Sequence, residues 1–366
     1  MHNFHSIDVT DYYDNSFWKD SDHYVDYQLL LAKKANKKIK DKNFVFVCTM
    51  VWEPYCLDEK GRTGYINMFN SFAKKNIKTL FVLDTCYEHI DTSVFNTTVF
   101  IMPYFLWLHH YLIFQRGMNT VSKNWNSESK TFLALTGKPH KNNRIRLLWK
   151  LHKAQLLQHS IWSLFMDAKA KESCRKYLQD VSDREYGKFI NEYAKKPDTA
   201  DIQIKDGSLH YIGMPYDTSM FDDCLFRVIS ETKFRENPGT PEITEKTYHT
   251  IFNNLPFIMA GDVGSLEWLK KQGYKTFENY LPNNDYDLIV DEENRLDAIV
   301  NNCKHWMSKM DNISSIRRDV KHNYNTAMNI VKQTNNRLKK LMDTIGLSGL
   351  GPEHILIGTD WVRIEL

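Results

Sequence analysis

The sequence predicts a two-domain α/β protein with parallel sheets, and three observations carry that expectation. The chain has 366 residues, more than one hydrophobic core ordinarily serves. Short β-branched and aromatic runs alternate with stretches whose apolar residues recur at helical spacing, the order that builds parallel sheets covered by helices. A polar stretch without periodicity, Asn119 to Lys130, breaks the alternation, which then restarts; such a stretch reads as a linker. The expected division is 1–125 and 126–345, with a tail over 346–366.

The elements follow in order. Asn43 to Val51 is a strand by its β-branched and aromatic content, and Tyr65 to Lys75 places Ile66, Phe69 and Ala73 on one helical face. Thr79 to Leu83 is a second strand, and Thr98 to Met102 a third, stopped by Pro103. Beyond the linker come a strand at Thr131 to Leu135, a basic loop from Gly137 to Lys141, and a helix from about Arg144. Residues 160–202 are charged and read as largely helical. Leu225 to Ser230 and Pro256 to Ala260 read as strands, Thr244 to Asn254 and Ser265 to Gln272 as helices. From Asp291 to Asp343 the pattern is helical, with Leu296, Ile299 and Val300 on one face and Ala327, Ile330 and Val331 on another. The four tryptophans Trp107, Trp149, Trp162 and Trp268 are expected in the core.

Composition removes several classes. At 42% hydrophobic and 25% charged residues the chain is neither disordered nor fibrous. Its net charge of +3 is too small for wholesale binding of a phosphate backbone and leaves nucleic acid only a local patch; the Lys33 to Lys42 run reads first as an exposed helix end, with a phosphate-tracking patch as the alternative. Six scattered cysteines without ligand spacing read as free thiols in a reducing compartment. The N-terminus lacks the basic-then-apolar order of a secretory signal, and no stretch holds the roughly 18 apolar residues of a membrane span. The expected location is the cytoplasm, that of a host if the low glycine and proline content, 15 and 10 residues, reflects a viral, AT-rich genome. No G-x-S-x-G, P-loop or H-E-x-x-H occurs, which disfavours hydrolase, NTPase and zincin readings.

The most informative segment runs from Leu225 to Gly261. Glu231 stands just past a strand, and Thr244-Glu245-Lys246 opens a helix whose Tyr248, Ile251, Phe252 and Leu255 fall at helical spacing. Thr244 is placed to cap that helix, and its first turn favours an anion such as a diphosphate. Lys246 adds a full charge there. Glu231 and Glu245 are suited to accepting hydrogen bonds from ribose or sugar hydroxyls.

These residues resemble the donor-binding stretch of GT-B glycosyltransferases, most closely the α1,3-fucosyltransferase type: a strand ending in Glu, a loop, a T-E-K triplet, a helix, and a strand ending in Gly. Glu231, Thr244-Glu245-Lys246, Leu255-Pro256 and Gly261 hold those places. A second stretch, Phe132 to Trp162, resembles the opening of the same domain in viral and bacterial sugar transferases, with Arg144 as the matching arginine. The resemblance covers roughly residues 130–290 and implies two Rossmann-like domains facing a cleft, with C-terminal helices. It also implies that Glu231, Glu245 and Lys246 hold a nucleotide sugar. Arg144 can clamp two phosphate oxygens at once, with Lys138 and Lys141 as nearby point charges. The pattern departs where the family's Asn-Ser is Thr232-Lys233 and where the loop before T-E-K is longer, so fucose and guanine specificity do not carry over.

The expected activity is transfer of a sugar from a nucleotide diphosphate donor, bound by the second domain, to an acceptor hydroxyl on a glycan bound by the first. Positive groups around the diphosphate stabilise the leaving charge, so neither cofactor nor metal is expected. Two alternatives accompany it: transfer onto hydroxymethylated bases of viral DNA, and a catalytically silent nucleotide-sugar-binding module. An inverting reaction needs a base, for which the strand ends of the first domain offer Glu53, in the aromatic surroundings of Trp52 and Tyr55, and Asp84. Asp285-Tyr286-Asp287 has metal-binding spacing but reads as a solvated turn, and His109-His110 as core or surface residues.

Overall fold

The computed structural model describes residues 3–8, 44–50, 59–115, 125–136, 141–164, 168–195, 219–237 and 239–346. The chain is mixed α/β, with two four-stranded parallel sheets and helices between their strands. It divides into two compact units: 1–107 with 330–366, and 108–329.

In the first unit the sheet is ordered β1 (Asn3–Asp8), β2 (Phe44–Met50), β3 (Lys78–Asp84), β4 (Thr98–Met102). All three pairings are parallel. Helix α1 (Glu59–Lys74) joins β2 to β3 and starts a turn and a half before its apolar pattern does. It buries Tyr65, Met68, Phe69 and Phe72. Phe69 meets Phe81 at 4.9 Å between ring centroids, and Phe95 closes edge-on over Phe81 at 5.3 Å, a geometry that aromatic quadrupoles favour. Helix α2 (Tyr104–His110) follows β4 across Pro103 and runs on as a π-turn, Tyr111–Gln115.

β1 is an element that periodicity missed. Its sequence NFHSID carries polar residues at four of its six positions, and only its pairing with β2 reveals it as strand.

In the second unit the order is β6-β5-β7-β8. β5 (Phe132–Thr136) leads through α3 (Asn142–Lys153) to β6 (Ser160–Leu164) on one side. Helices α4 (Ala168–Tyr177), α5 (Asp183–Lys195) and the short α6 (Ser219–Asp222) precede β7 (Arg227–Ser230), which pairs on the other side of β5. The chain continues through α7 (Glu245–Phe252), β8 (Phe257–Ala260), α8 (Ser265–Lys271) and α9 (Glu292–Ser308). Successive strands are therefore added on opposite sides of the β5–β7 pair, a switch in strand order at which open α/β sheets form a crevice at their carboxyl ends. Residues 160–164 correct the helical expectation for 160–202. SIWSL is too short to show helical spacing, and its parallel pairing with β5 decides its conformation.

Phe132 and Phe226 stack at 5.1 Å, with Trp306 edge-on to Phe226 at 5.2 Å. α9 packs on α3, with Arg146 and Lys150 paired to Glu293 at 2.6 and 3.0 Å.

The final helix, α10 (Ile313–Ile345), begins in the second unit and ends in the first. In the first, Asn335 accepts the Trp107 indole N–H at 2.7 Å and Arg337 lies over Phe100. The division thus differs from the expected boundary at 125/126. Trp125 is buried in the second unit, its indole donating to the Leu225 carbonyl at 2.7 Å, which ties the end of the polar stretch to the second sheet. Among the described residues no helix is long and apolar enough to cross a membrane. Cys48, Cys86, Cys174, Cys224 and Cys303 are buried, and none of these five forms a disulfide.

Candidate functional site

Arg144, Glu231, Thr244, Glu245 and Lys246 lie close together beyond the ends of β5 and β7, beside the point where the strand order switches sides. β7 ends at Ser230, and Glu231 follows with its side chain fully buried. A buried carboxylate persists only when hydrogen-bonded, and α7 supplies the donors. The Thr244 backbone N–H donates to Glu231 at 3.2 Å and the Thr247 hydroxyl at 2.6 Å, and the Thr244 hydroxyl donates to the other carboxylate oxygen. Glu231 therefore ties the start of α7 to the end of β7.

This corrects one expectation. Thr244 holds the N-cap position in extended geometry, but its hydroxyl turns to Glu231 and makes no cap bond. The Glu231 carboxylate accepts all three of these hydrogen bonds from the start of α7.

Two cations lie above it. Arg144, in the first turn of α3 and buried, directs one guanidinium nitrogen to the Glu231 carbonyl at 3.4 Å and to the Thr232 hydroxyl at 3.5 Å. Lys246 reaches the same hydroxyl at 3.4 Å, and also Thr244 at 3.0 Å and Glu245 at 2.9 Å. The two cations thus bracket a single hydroxyl, at the position where the sequence departs from the fucosyltransferase-type pattern. Burial lowers the pKa of Arg144, while Glu245, Glu231 and Glu242 act to raise it. For Glu245 burial pushes the pKa up, but Lys246 beside it and His109 outweigh that and hold it at about 2. Glu245 is ionised at any ordinary pH.

The loop from Thr232 to Ile243 is held from both sides. The buried carboxylate of Asp262, just beyond β8, accepts from Arg235 through its backbone N–H at 2.7 Å and through two guanidinium nitrogens at 3.1 and 2.6 Å. It also accepts the Glu242 backbone N–H at 3.2 Å. Arg295 stacks 3.9 Å over the Phe234 ring and donates to the Phe234 carbonyl at 3.1 Å. Gly261 precedes Asp262 because a Cβ there would meet the Ser265 hydroxyl at 2.9 Å.

The D-x-D segment splits. Asp285 is exposed, while Asp287 is buried and accepts the Leu266 backbone N–H at 2.9 Å, capping α8. Burial raises Asp287 to about 7. The segment is therefore an anchor for α8, not the solvated turn that its composition suggested. Among the described residues no group of three or more His, Cys, Asp or Glu is arranged to hold a metal ion.

Asp84 belongs to the first unit. One of its oxygens accepts the Cys86 N–H at 3.1 Å and the other the Tyr104 N–H at 2.9 Å, so it caps the turn after β3. Burial raises it to about 6 against those hydrogen bonds. Glu53 and Lys138 lie outside the described residues, as do Cys56 and the Lys33 to Lys42 run.

Sequence reasoning missed Asp262, Glu242 and a buried layer under α7. Asp262 stands just beyond a strand end, a position that ligand and loop contacts favour. The layer under α7 has no sequence signature. In it Arg227 donates to the Lys246 carbonyl at 3.3 Å and the Thr250 hydroxyl at 3.1 Å. His249 lies between Phe221, at 4.8 Å, and His109, at 5.8 Å. Burial, with His109 and Arg227 nearby, keeps His249 far below the ordinary histidine pKa.

No protein-family model matches the sequence, and no curated protein does. Among solved structures the chain is similar to a UDP-forming α,α-trehalose-phosphate synthase from Burkholderia xenovorans, at 7% identity and a TM-score of 0.42 over 93% of this chain and 81% of that one.

Proposed function

We propose that the chain is a glycosyltransferase whose second unit binds the diphosphate of a nucleotide sugar and which transfers the sugar to an acceptor hydroxyl on a glycan. The observation that carries this reading is the convergence of Arg144 and Lys246 on one hydroxyl beside the start of α7 and the switch in strand order. A diphosphate oxygen taking the place of Thr232 there meets a planar guanidinium, an ammonium and the positive end of a helix dipole. All three oppose the negative charge that develops on a departing nucleoside diphosphate. Glu245, held ionised, offers a carboxylate to a ribose or sugar hydroxyl. The glutamate-to-T-E-K segment resembles a GT-B donor site in the same residues.

In this reading the first unit takes the acceptor, and Glu53 is the proposed base. A second reading, a catalytically silent nucleotide-sugar-binding module, draws on Asp84, whose carboxylate is engaged as a turn cap. Incubation with nucleotide sugars separates the two. Release of free nucleotide, stimulated by a glycan acceptor, supports transfer; tight nucleotide binding without release under any acceptor supports the module. In the first case Glu53→Gln lowers turnover by about 10²-fold with donor binding intact, the loss expected for a general base. Undiminished turnover assigns the base elsewhere.

A further inference from the structure

Arg227 opens β7 and lies under α7, only 3% exposed. Two hydrogen bonds fix its place against the candidate site: it donates to the Lys246 backbone carbonyl at 3.3 Å and to the Thr250 hydroxyl at 3.1 Å. The Thr250 hydroxyl in turn donates to the same carbonyl at 2.7 Å. The guanidinium stands over the Phe221 ring at 5.6 Å, and its Nε is buried without a hydrogen-bond partner. Both of its acceptors are neutral. The two carboxylates whose charge reaches Arg227, Glu231 and Glu245, pair with Lys246 instead, at 3.9 and 2.9 Å.

Such a residue destabilises the empty protein. A buried cation that no carboxylate pairs loses hydration that neutral acceptors do not replace. Its place beside the first turn of a helix also sets it against the positive end of the helix dipole. A packing role calls for no charge there, since an apolar side chain of similar volume fills the same space without that penalty. Both penalties shrink when an anion binds at the start of α7.

We propose that Arg227 is a positioning residue of the diphosphate site, a buried charge held under the first turn of α7 by the Lys246 carbonyl so that the turn binds an anion more tightly. The proposal deepens the donor-binding reading and rests on it. Arg227 is too deeply buried to touch the ligand itself. It acts through the turn that carries the Lys246 ammonium, and through a field that the interior between β7 and α7 screens far less than water does. Burial lowers its pKa to about 10, with Glu231, Glu245 and Cys224 opposing, so the charge is present throughout the neutral range.

The test is calorimetric titration with UDP, GDP and inorganic pyrophosphate at pH 7, comparing wild type with Arg227→Lys, Arg227→Gln and Arg227→Met, with thermal melts to show which variants fold. Arg227→Lys keeps the charge, Arg227→Gln keeps an N–H donor without it, and Arg227→Met keeps only the bulk. Each folded neutral variant is expected to bind about tenfold or more weakly than wild type, the order of effect of one full charge acting through a protein interior. Arg227→Lys is expected to bind within about threefold of wild type, because the charge is what the site uses. Full affinity in either neutral variant, no recovery in Arg227→Lys, or failure of both neutral variants to fold overturns the proposal and leaves the donor site standing. Absence of binding by wild type to every probe overturns the donor site and this proposal with it.

Discussion

At the scale of single residues, the polar groups at the strand ends work mostly on the protein itself. Glu231 accepts three hydrogen bonds from the start of α7, one of them from the Thr247 hydroxyl at 2.6 Å. Thr247→Val keeps the shape and removes that donor from a buried carboxylate; the expected loss is about 1.5–3 kcal/mol in denaturant unfolding, the range for hydrogen bonds to charged groups. A loss below about 0.5 kcal/mol would show that the bond is not holding the carboxylate. Asp84 makes a second test. Its pKa is raised from 3.8 to about 6, chiefly by burial against the opposing N–H donors of Cys86 and Tyr104. A carboxyl whose folded pKa is raised favours the folded state most below its unfolded pKa, and that contribution is lost as pH rises through the folded value. The Asp84 contribution therefore declines between about pH 4 and 6, by roughly 3 kcal/mol at 1.36 kcal/mol per pKa unit. Asp84→Asn removes that pH dependence and costs about 1–3 kcal/mol near pH 7, since the amide nitrogen cannot accept from the second backbone N–H. Equal pH–stability profiles of wild type and variant between pH 4 and 6 would contradict the assignment.

At the scale of elements, most strands and helices were legible because their apolar residues are also their buried ones. β4 falls where β-branched content places it, and α1 buries Phe69 from the predicted face. β1 and β6 were not legible, since short polar or mixed segments become strands only through the neighbour that pairs with them. The candidate site divides the same way. The T-E-K triplet, Glu231 and Arg144 could be read because they stand at element boundaries, where local chemistry is distinctive. Asp262 and Glu242 could not, because their roles depend on a loop whose course is set by Arg235 and Arg295. The close approach of α8 to the end of β8 gives a prediction at this scale. Gly261→Ala sets a Cβ at 2.9 Å from the Ser265 hydroxyl, and overpacking of that kind costs about 1–3 kcal/mol. Adding Ser265→Ala to it restores more than half of the loss, corrected for the single Ser265→Ala effect. Strict additivity in that cycle would mean that the two residues do not touch.

At the scale of the whole molecule, the second unit gathers Arg144 from α3, Thr232 from beyond β7 and Lys246 from α7 at the place where its strand order switches sides. No single segment creates that convergence; it follows from β5 and β7 lying side by side although some ninety residues of chain separate them. In the proposed donor site two cations and a helix end would face the diphosphate, so a divalent ion has little left to neutralise, and turnover is expected to persist in excess chelator. Complete loss in EDTA, restored by Mg²⁺ or Mn²⁺, would mean that the leaving charge is met in another way. The most direct measurement of the central claim is calorimetric titration of wild type, Lys246→Ala and Arg144→Ala with nucleoside diphosphates, paired with melts that confirm each variant is folded. The account predicts that wild type binds at least one nucleoside diphosphate and that either substitution weakens binding by about 1.5–3 kcal/mol; unchanged affinity in both folded variants would contradict it.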